Sequence, residues 1–249
     1  MLYVYSIWRN EVKLAPYFLR HYSTVANRIF IFDDNSNDGT RELLLDHPKV
    51  TVLSMTQPWL KTKYKGGIDD SYFRHLHELA YRQYIRDSDV WIACVDADEF
   101  IYDPILLDKL TDFTHSGINV VFCEGWSMVH PTFPTTSGQI YSEITTGIPD
   151  FWCSKPCLFR SDYDMKFRLG RHGVLEPKGM HIAAGHGVKL LHYRYLGADY
   201  SLARNQRNVS RMTDKNKNAL LGRHNLDGST YQHSLAWVEA NRDKIQYAL

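Results

Sequence analysis

The chain has 249 residues, 44% hydrophobic and 23% charged, enough for one large globular core. Its 29 Lys and Arg balance 28 Asp and Glu, so a net charge of +1 supplies no general field for nucleic acid, and any anion must be bound locally. No apolar run approaches the roughly 20 residues that span a bilayer, and the start lacks the basic region and cleavage site of a signal peptide, so the expectation is a soluble, cytoplasmic protein.

Residues 2–7 read as a short buried strand, followed by Arg9-Asn10-Glu11 and a helical stretch with Leu14, Phe18, Leu19 and Tyr22 at helix spacing. Residues 28–32 form a second strand. It ends in Asp33-Asp34-Asn35-Ser36-Asn37-Asp38-Gly39-Thr40, a run of turn and cap formers, before a helix resumes at Arg41. Residues 50–53 make a third strand, residues 72–86 a helix, and residues 90–95 a fourth strand, apolar throughout. Beyond residues 120–124 the pattern loosens into a loop rich in Pro, Thr, Gly and aromatics as far as Pro149. Strands alternating with helices, each strand too apolar to face water, describe an α/β fold with a mostly parallel sheet flanked by helices. Ligands of such sheets bind beyond the carboxyl ends of the strands, and those ends carry Trp8-Arg9, Asp33-Asp34 and Asp96-Ala97-Asp98.

Asp96 and Asp98 close an apolar strand, and the period of two in extended chain sends both carboxylates to one side. Like charges so close call for a shared cation, and a hard divalent ion, Mn²⁺ or Mg²⁺, suits carboxylate oxygens and can bridge to a diphosphate. A capping role in a polar loop is the plainer reading of so short a motif; its place after a buried strand favours the site. Asp34 can accept from a nucleobase or a ribose hydroxyl, because Ser36, Asn37 and Asp38 suffice for helix capping. His192, at the end of the apolar run Lys189-Leu190-Leu191, can reach the same cation, or serve as an ordinary hydrogen-bonding His. Cys153 and Cys157 lack a second pair at zinc-ligand spacing and are read as structural.

Arg9-Asn10-Glu11, the segment from Phe32 to Thr40, and Trp91-Ile92-Ala93-Cys94-Val95-Asp96-Ala97-Asp98-Glu99-Phe100 together resemble family 2 glycosyltransferases, in the branch whose acidic motif reads DxDEF. Trp152-Cys153-Ser154-Lys155-Pro156, Gly170-Arg171-His172 with Pro177-Lys178-Gly179, and Leu190-Leu191-His192-Tyr193 resemble its C-terminal half more loosely. The resemblance implies a GT-A, Rossmann-like fold over residues 1–200, with a nucleotide-sugar-binding half (1–123), an acceptor-side half (124–200) and a C-terminal helical extension (201–249). It also implies a nucleoside-diphosphate sugar donor, UDP-linked by expectation, a divalent cation, and inversion at the anomeric carbon. On that basis Asp34 holds the nucleobase, Asp96 the ribose or a metal-bound water, and Asp98 the metal. Ser6 and Arg9 line the nucleotide cleft, and His192 completes the metal or diphosphate shell.

An inverting transfer needs a carboxylate base, for which Glu124 and Asp150 are the candidates, Glu124 being preferred. Lys155, Arg168, Arg171 and His172 are candidates for the nucleotide's diphosphate, and Trp126, Phe133 and Trp152 for stacking on a glycan or lipid-linked acceptor. The basic run Arg204, Arg207, Arg211, Lys215 and Lys217 reads as a solvated helix face, or as a peripheral contact with the inner face of an anionic membrane. Two rival functions are a sugar nucleotidyltransferase, which wants a Gly-rich phosphate loop that Trp8-Arg9-Asn10-Glu11 does not supply, and a non-catalytic sugar-binding protein of the same fold.

Overall fold

A computed structural model describes residues 1–85, 89–175, 178–218 and 236–249. In chain order the elements are β1 (Leu2–Trp8), α1 (Ala15–Val25), β2 (Arg28–Asp33), α2 (Thr40–Leu45), β3 (Val50–Ser54), α3 (Asp70–Tyr84), β4 (Trp91–Cys94), β5 (Glu99–Tyr102) and α4 (Leu106–His115). They continue with β6 (Val120–His130), β7 (Thr146–Pro149), β8 (Lys155–Arg160), β9 (Ile182–Ala183), β10 (Lys189–Leu196), α5 (Ala198–Arg211), α6 (Asp214–Asn218) and β11 (Gln246–Tyr247).

Strands β3, β2, β1 and β4 run parallel in that order, and β8 and β6 continue the sheet antiparallel. Side chains alternate between two cores, which is why these strands are apolar throughout. Ile29, Ile31, Trp91 and Ala93 join Phe18, Tyr22, Leu44 and Leu110 of α1, α2 and α4, while Phe30, Phe32, Ile92 and Cys94 join Tyr72, Leu76 and Tyr81 of α3. The mostly parallel sheet flanked by helices is therefore present. Asp69 caps α3 by accepting from the amides of Ser71 and Tyr72. That helix ends at Tyr84; Arg86, its expected last residue, and Pro177 lie outside the described residues.

Two expectations are corrected. The segment after Glu124 is loop only between residues 131 and 145: β6 runs on to His130 and is enclosed by β10, parallel to it, and by β7 (Thr146–Pro149), antiparallel. Nor is the region from residue 201 helix alone among the described residues. The boundary falls inside α5, which leaves β10 through Gly197, and β11 returns to pair with β7, Gln246 opposite Gly147 and Tyr247 opposite Thr146. Among the described residues no helix is long and apolar enough to cross a membrane.

Candidate active site

Strand order reverses at β1, with β2 on one side and β4 on the other, and a cleft of about 550 Å³ opens beyond their carboxyl ends. The loops that follow β1 and β2 lock each other. Asn10 donates to Asn37 Oδ1 and accepts from the Asn37 amide, the Asn10 amide donates to Ser36 Oγ, and the Glu11 amide donates to Thr40 Oγ1 at 2.9 Å. Asn10 and Asn35 take the left-handed conformation that Asn tolerates. Most residues of these two motifs thus build a scaffold, which presents Arg9, Glu11 and Asp34 to the cleft. Asp33 and Asp38 accept the local amides of Ser36 and Thr40, while the Asp34 carboxylate pairs with Arg211, and its carbonyl accepts from Arg9 at 2.6 Å.

After β4, Asp96, Asp98 and Glu99 each meet cations. Asp96 pairs with Arg171 and lies 3.7 Å from Lys155; Asp98 Oδ2 accepts from Arg204 at 2.5 Å and from His192 Nε2 at 3.0 Å. Glu99, fully buried, binds Lys155 and accepts the Asp96 amide at 2.9 Å, so the final acid of the motif fixes the turn that presents the other two. Burial opposes ionisation of Asp98, but Arg204 and His192 outweigh it and hold the carboxyl well below its usual range. Burial likewise opposes charge on His192, yet Asp98 and Cys153 raise it to about 10, so the ring carries both protons. His172 and His77, pushed down to about 4 and about 3 chiefly by burial, are neutral. Arg171 keeps a positive φ of 60°, a strain of about 1–2 kcal/mol retained where its guanidinium meets Asp96.

Of the expected site residues, Arg9, Asp34, Asp96, Asp98, Asp150, Lys155, His172 and His192 all line this cleft. Others do not. Ser6 is fully buried, donating to Val95 O at 2.6 Å and accepting from Trp8 Nε1 at 2.8 Å, and so ties β1 to β4 instead of touching a nucleotide. Glu124, the preferred base, sits on β6 away from the cleft with its carboxylate on the Gly187 amide. Asp150 faces the cleft, accepting from Ser127 Oγ at 2.8 Å and Cys153 Sγ at 3.3 Å. Phe133 packs on Tyr17 and Tyr200, Trp126 lies under Lys189, and Arg168 packs beside Gly173, none of them in the cleft. Trp152 is in it and 78% exposed, next to Phe151 at 83%.

The largest correction concerns the basic run. Arg204, Arg207 and Arg211 turn inward, onto Asp98, Glu11 and Asp34, and only Lys215 and Lys217 of the run are exposed. Their spacing of three and four placed them on one helical face; what that face covers depends on how α5 packs, which spacing alone does not reveal. Cys153, read as structural, bridges Asp150 and His192 Nδ1, each at 3.3 Å.

As arranged, these carboxylates do not fit a divalent ion. Both cations on Asp98 share one oxygen, Asp96 is taken by Arg171 and Lys155, and no group of three metal-ligating side chains occurs among the described residues.

Fold and cleft define an α/β protein with a charged site at the carboxyl ends of a parallel sheet. No family model matches the chain. It is similar to a glycosyltransferase family 92 protein of Oryza sativa subsp. japonica, 30% identical over 104 residues, 41% of this chain and 16% of that one. A family 92 protein of Arabidopsis thaliana is 30% identical over 100 residues, 39% of this chain and again 16% of the relative, so the chain spans a small part of the relatives it matches. Among solved structures it is similar to S. aureus TarS 1–349 in complex with UDP-GlcNAc, with TM-score 0.42 and 13% identity over 98% of this chain and 78% of that one. Mannosyl-3-phosphoglycerate synthase from Rubrobacter xylanophilus gives TM-score 0.35 and 15% identity over 52% and 40%.

Proposed function

We propose that the chain is a glycosyltransferase of the family 2 type, moving a sugar from a nucleoside diphosphate to an acceptor hydroxyl with inversion. The observation that carries this reading is the convergence of Asp34, Asp96 and Asp98, from the ends of two parallel strands, with Asp150 from the acceptor half, around one cleft rich in Arg. The local sequence match to family 92 glycosyltransferases supports it.

Arg9 and Asp34, at the ends of β1 and β2, form the nucleoside end. In the reaction the acceptor oxygen forms a bond to the anomeric carbon as the bond to the diphosphate oxygen breaks and its electron pair stays on phosphate; the acceptor's proton passes to Asp150. Ser127, Cys153 and the Trp152 amide aim that carboxylate. Trp152 and Phe151, exposed beside it, give an acceptor glycan an aromatic face to stack on.

Thermal shift against a panel of nucleotide sugars, followed by assay of donor hydrolysis, tests the reading. One nucleotide class should stabilise the protein and be turned over slowly to free sugar. Stabilisation by none of them, with or without Mn²⁺, would remove the donor site, whereas release of pyrophosphate from a nucleoside triphosphate and a sugar phosphate would favour a nucleotidyltransferase.

A further inference from the structure

Each carboxylate that the resemblance assigns to a metal already holds a cation of the chain, and five of the cleft's six arginines, all but Arg9, come from segments that the donor motifs do not include. Arg204, Arg207 and Arg211 form a row along one face of α5, and Arg171 lines the same cleft beside Asp96. Two of the donors around the cleft are buried without a hydrogen bond: Arg171 Nη1, and Arg204 Nε, which lies 3.6 Å from Glu11 Oε1. Arg171 itself is more than nine-tenths buried. Buried guanidinium donors left unpaired are costly, and a phosphate oxygen is the acceptor that fits them, by charge and by bidentate geometry. Arg9 and Arg211 converge as well, Arg9 on the Asp34 carbonyl and Arg211 on its carboxylate. Seven Arg and Lys side chains line the cleft against six Asp and Glu, in a protein whose total charge is +1.

We propose that guanidinium groups of the chain, Arg171 beside Asp96 and Arg204 and Arg211 of α5, take the place of a divalent cation in holding the donor's diphosphate. Asp98 and Asp96 then serve to position Arg204 and Arg171, and the charge left on the departing diphosphate is met by these cations. The inference rests on the donor-site reading given above.

Calorimetry on the full chain, freed of metal by a chelator, separates the two. Inorganic pyrophosphate, UDP, GDP, dTDP and ADP are titrated with and without Mn²⁺, and Mn²⁺ is titrated alone. At least one diphosphate should bind without metal, with affinity changed less than about threefold by Mn²⁺, and Mn²⁺ alone should give no saturable heat. Arg171→Met and Arg204→Met should each weaken that binding at least tenfold, and Lys217→Met, on the exposed side of α6, should leave it unchanged. Diphosphate binding that appears only with Mn²⁺ overturns the inference and leaves the donor site standing. Absence of binding under both conditions overturns the donor site itself. The wild-type titrations decide both points even if an arginine variant fails to fold.

Discussion

At the residue scale, the partners of Asp98 change what its removal should do. A carboxylate that served only a metal could be deleted without harm to the fold, but Asp98 is buried between Arg204 and His192. Asp98→Ala leaves two cations uncompensated, and breaking a buried pair costs about 3–5 kcal/mol. For a chain of this length that is a fall in Tm on the order of 10 °C, readable by calorimetric melting; an unchanged Tm would mean that Arg204 and His192 do not depend on Asp98. The two candidate bases differ as sharply. Asp150→Asn should lower transfer by about 10²–10⁴, and Glu124→Gln should leave it within a few-fold, since only Asp150 faces the cleft. A large loss in Glu124→Gln alone would return the role to β6. A third residue, His21, bears on stability. It is on the buried face of α1, 2.9 Å from Ile101 O, and burial lowers it to about 4. The unfolded chain, with His near 6.5, takes up that proton first as pH falls, so the full stability present above about pH 6.5 is lost progressively down to about pH 4, in total about 3 kcal/mol. Urea denaturation at about pH 7 and about pH 4.5 should show a shallower loss for His21→Asn than for wild type. Equal slopes would assign the acid sensitivity to other groups.

At the scale of elements, the donor site depends on how α5 is fixed over the sheet. Gly197, at φ 73°, begins the helix against the backbone of Thr132 and Phe133, and the far end is clamped where the Ile68 amide donates to Arg211 O at 2.8 Å. The Thr213 amide returns a bond to Ile68 O, and Asn216, buried in α6, accepts the amide of Asp70 at the start of α3. Gly67 takes φ 76°, and a Cβ there would lie 2.5 Å from Arg211 O. Gly67→Ala therefore combines a left-handed backbone, about 1–2 kcal/mol, with a clash against main chain that cannot rotate away. The variant should lose diphosphate affinity by more than tenfold while β1–β4 keep their native far-ultraviolet signal. A variant that binds as wild type would show that α5 needs no clamp at this point. The sheet strands were legible in sequence because residues such as Phe30 and Ile31 are buried on opposite faces, which makes an unbroken apolar run. The second half of β6 was not, because Gly125 and Ser127 read as loop, and their enclosure comes from pairing with β10 and β7, far away in the chain.

For the whole molecule, the same division between local and distant interactions decides what the sequence disclosed. The acids at the strand ends were visible because position after a buried strand is a local property. The inward aim of Arg204 and Arg211 was not, because it follows from α5 passing the loops after β4, β1 and β2, and a near-neutral composition made those arginines read as surface. The total charge of +1 does fix one property, since it supplies no general basic field, and an anion in the cleft must rely on individual side chains such as Arg171, Arg204 and Arg211. Anion binding should accordingly be local, partly buried and weakly screened. A protein that binds polyanions through many exposed contacts loses about 10³–10⁵ in affinity between roughly 50 and 200 mM salt, through counterion release. Here, a diphosphate bound among Arg171, Arg204 and Arg211 should lose less than about tenfold over that range, because buried pairs are screened far less than exposed charges. Duplex DNA and heparin should not be retained even at about 50 mM salt, for want of a field outside the cleft. Calorimetry with pyrophosphate at the two salt concentrations, beside a heparin column run at the lower one, measures both. A steep salt slope together with retention on heparin would place the cationic groups on an open surface and refute the enclosed arrangement of α5 over the sheet.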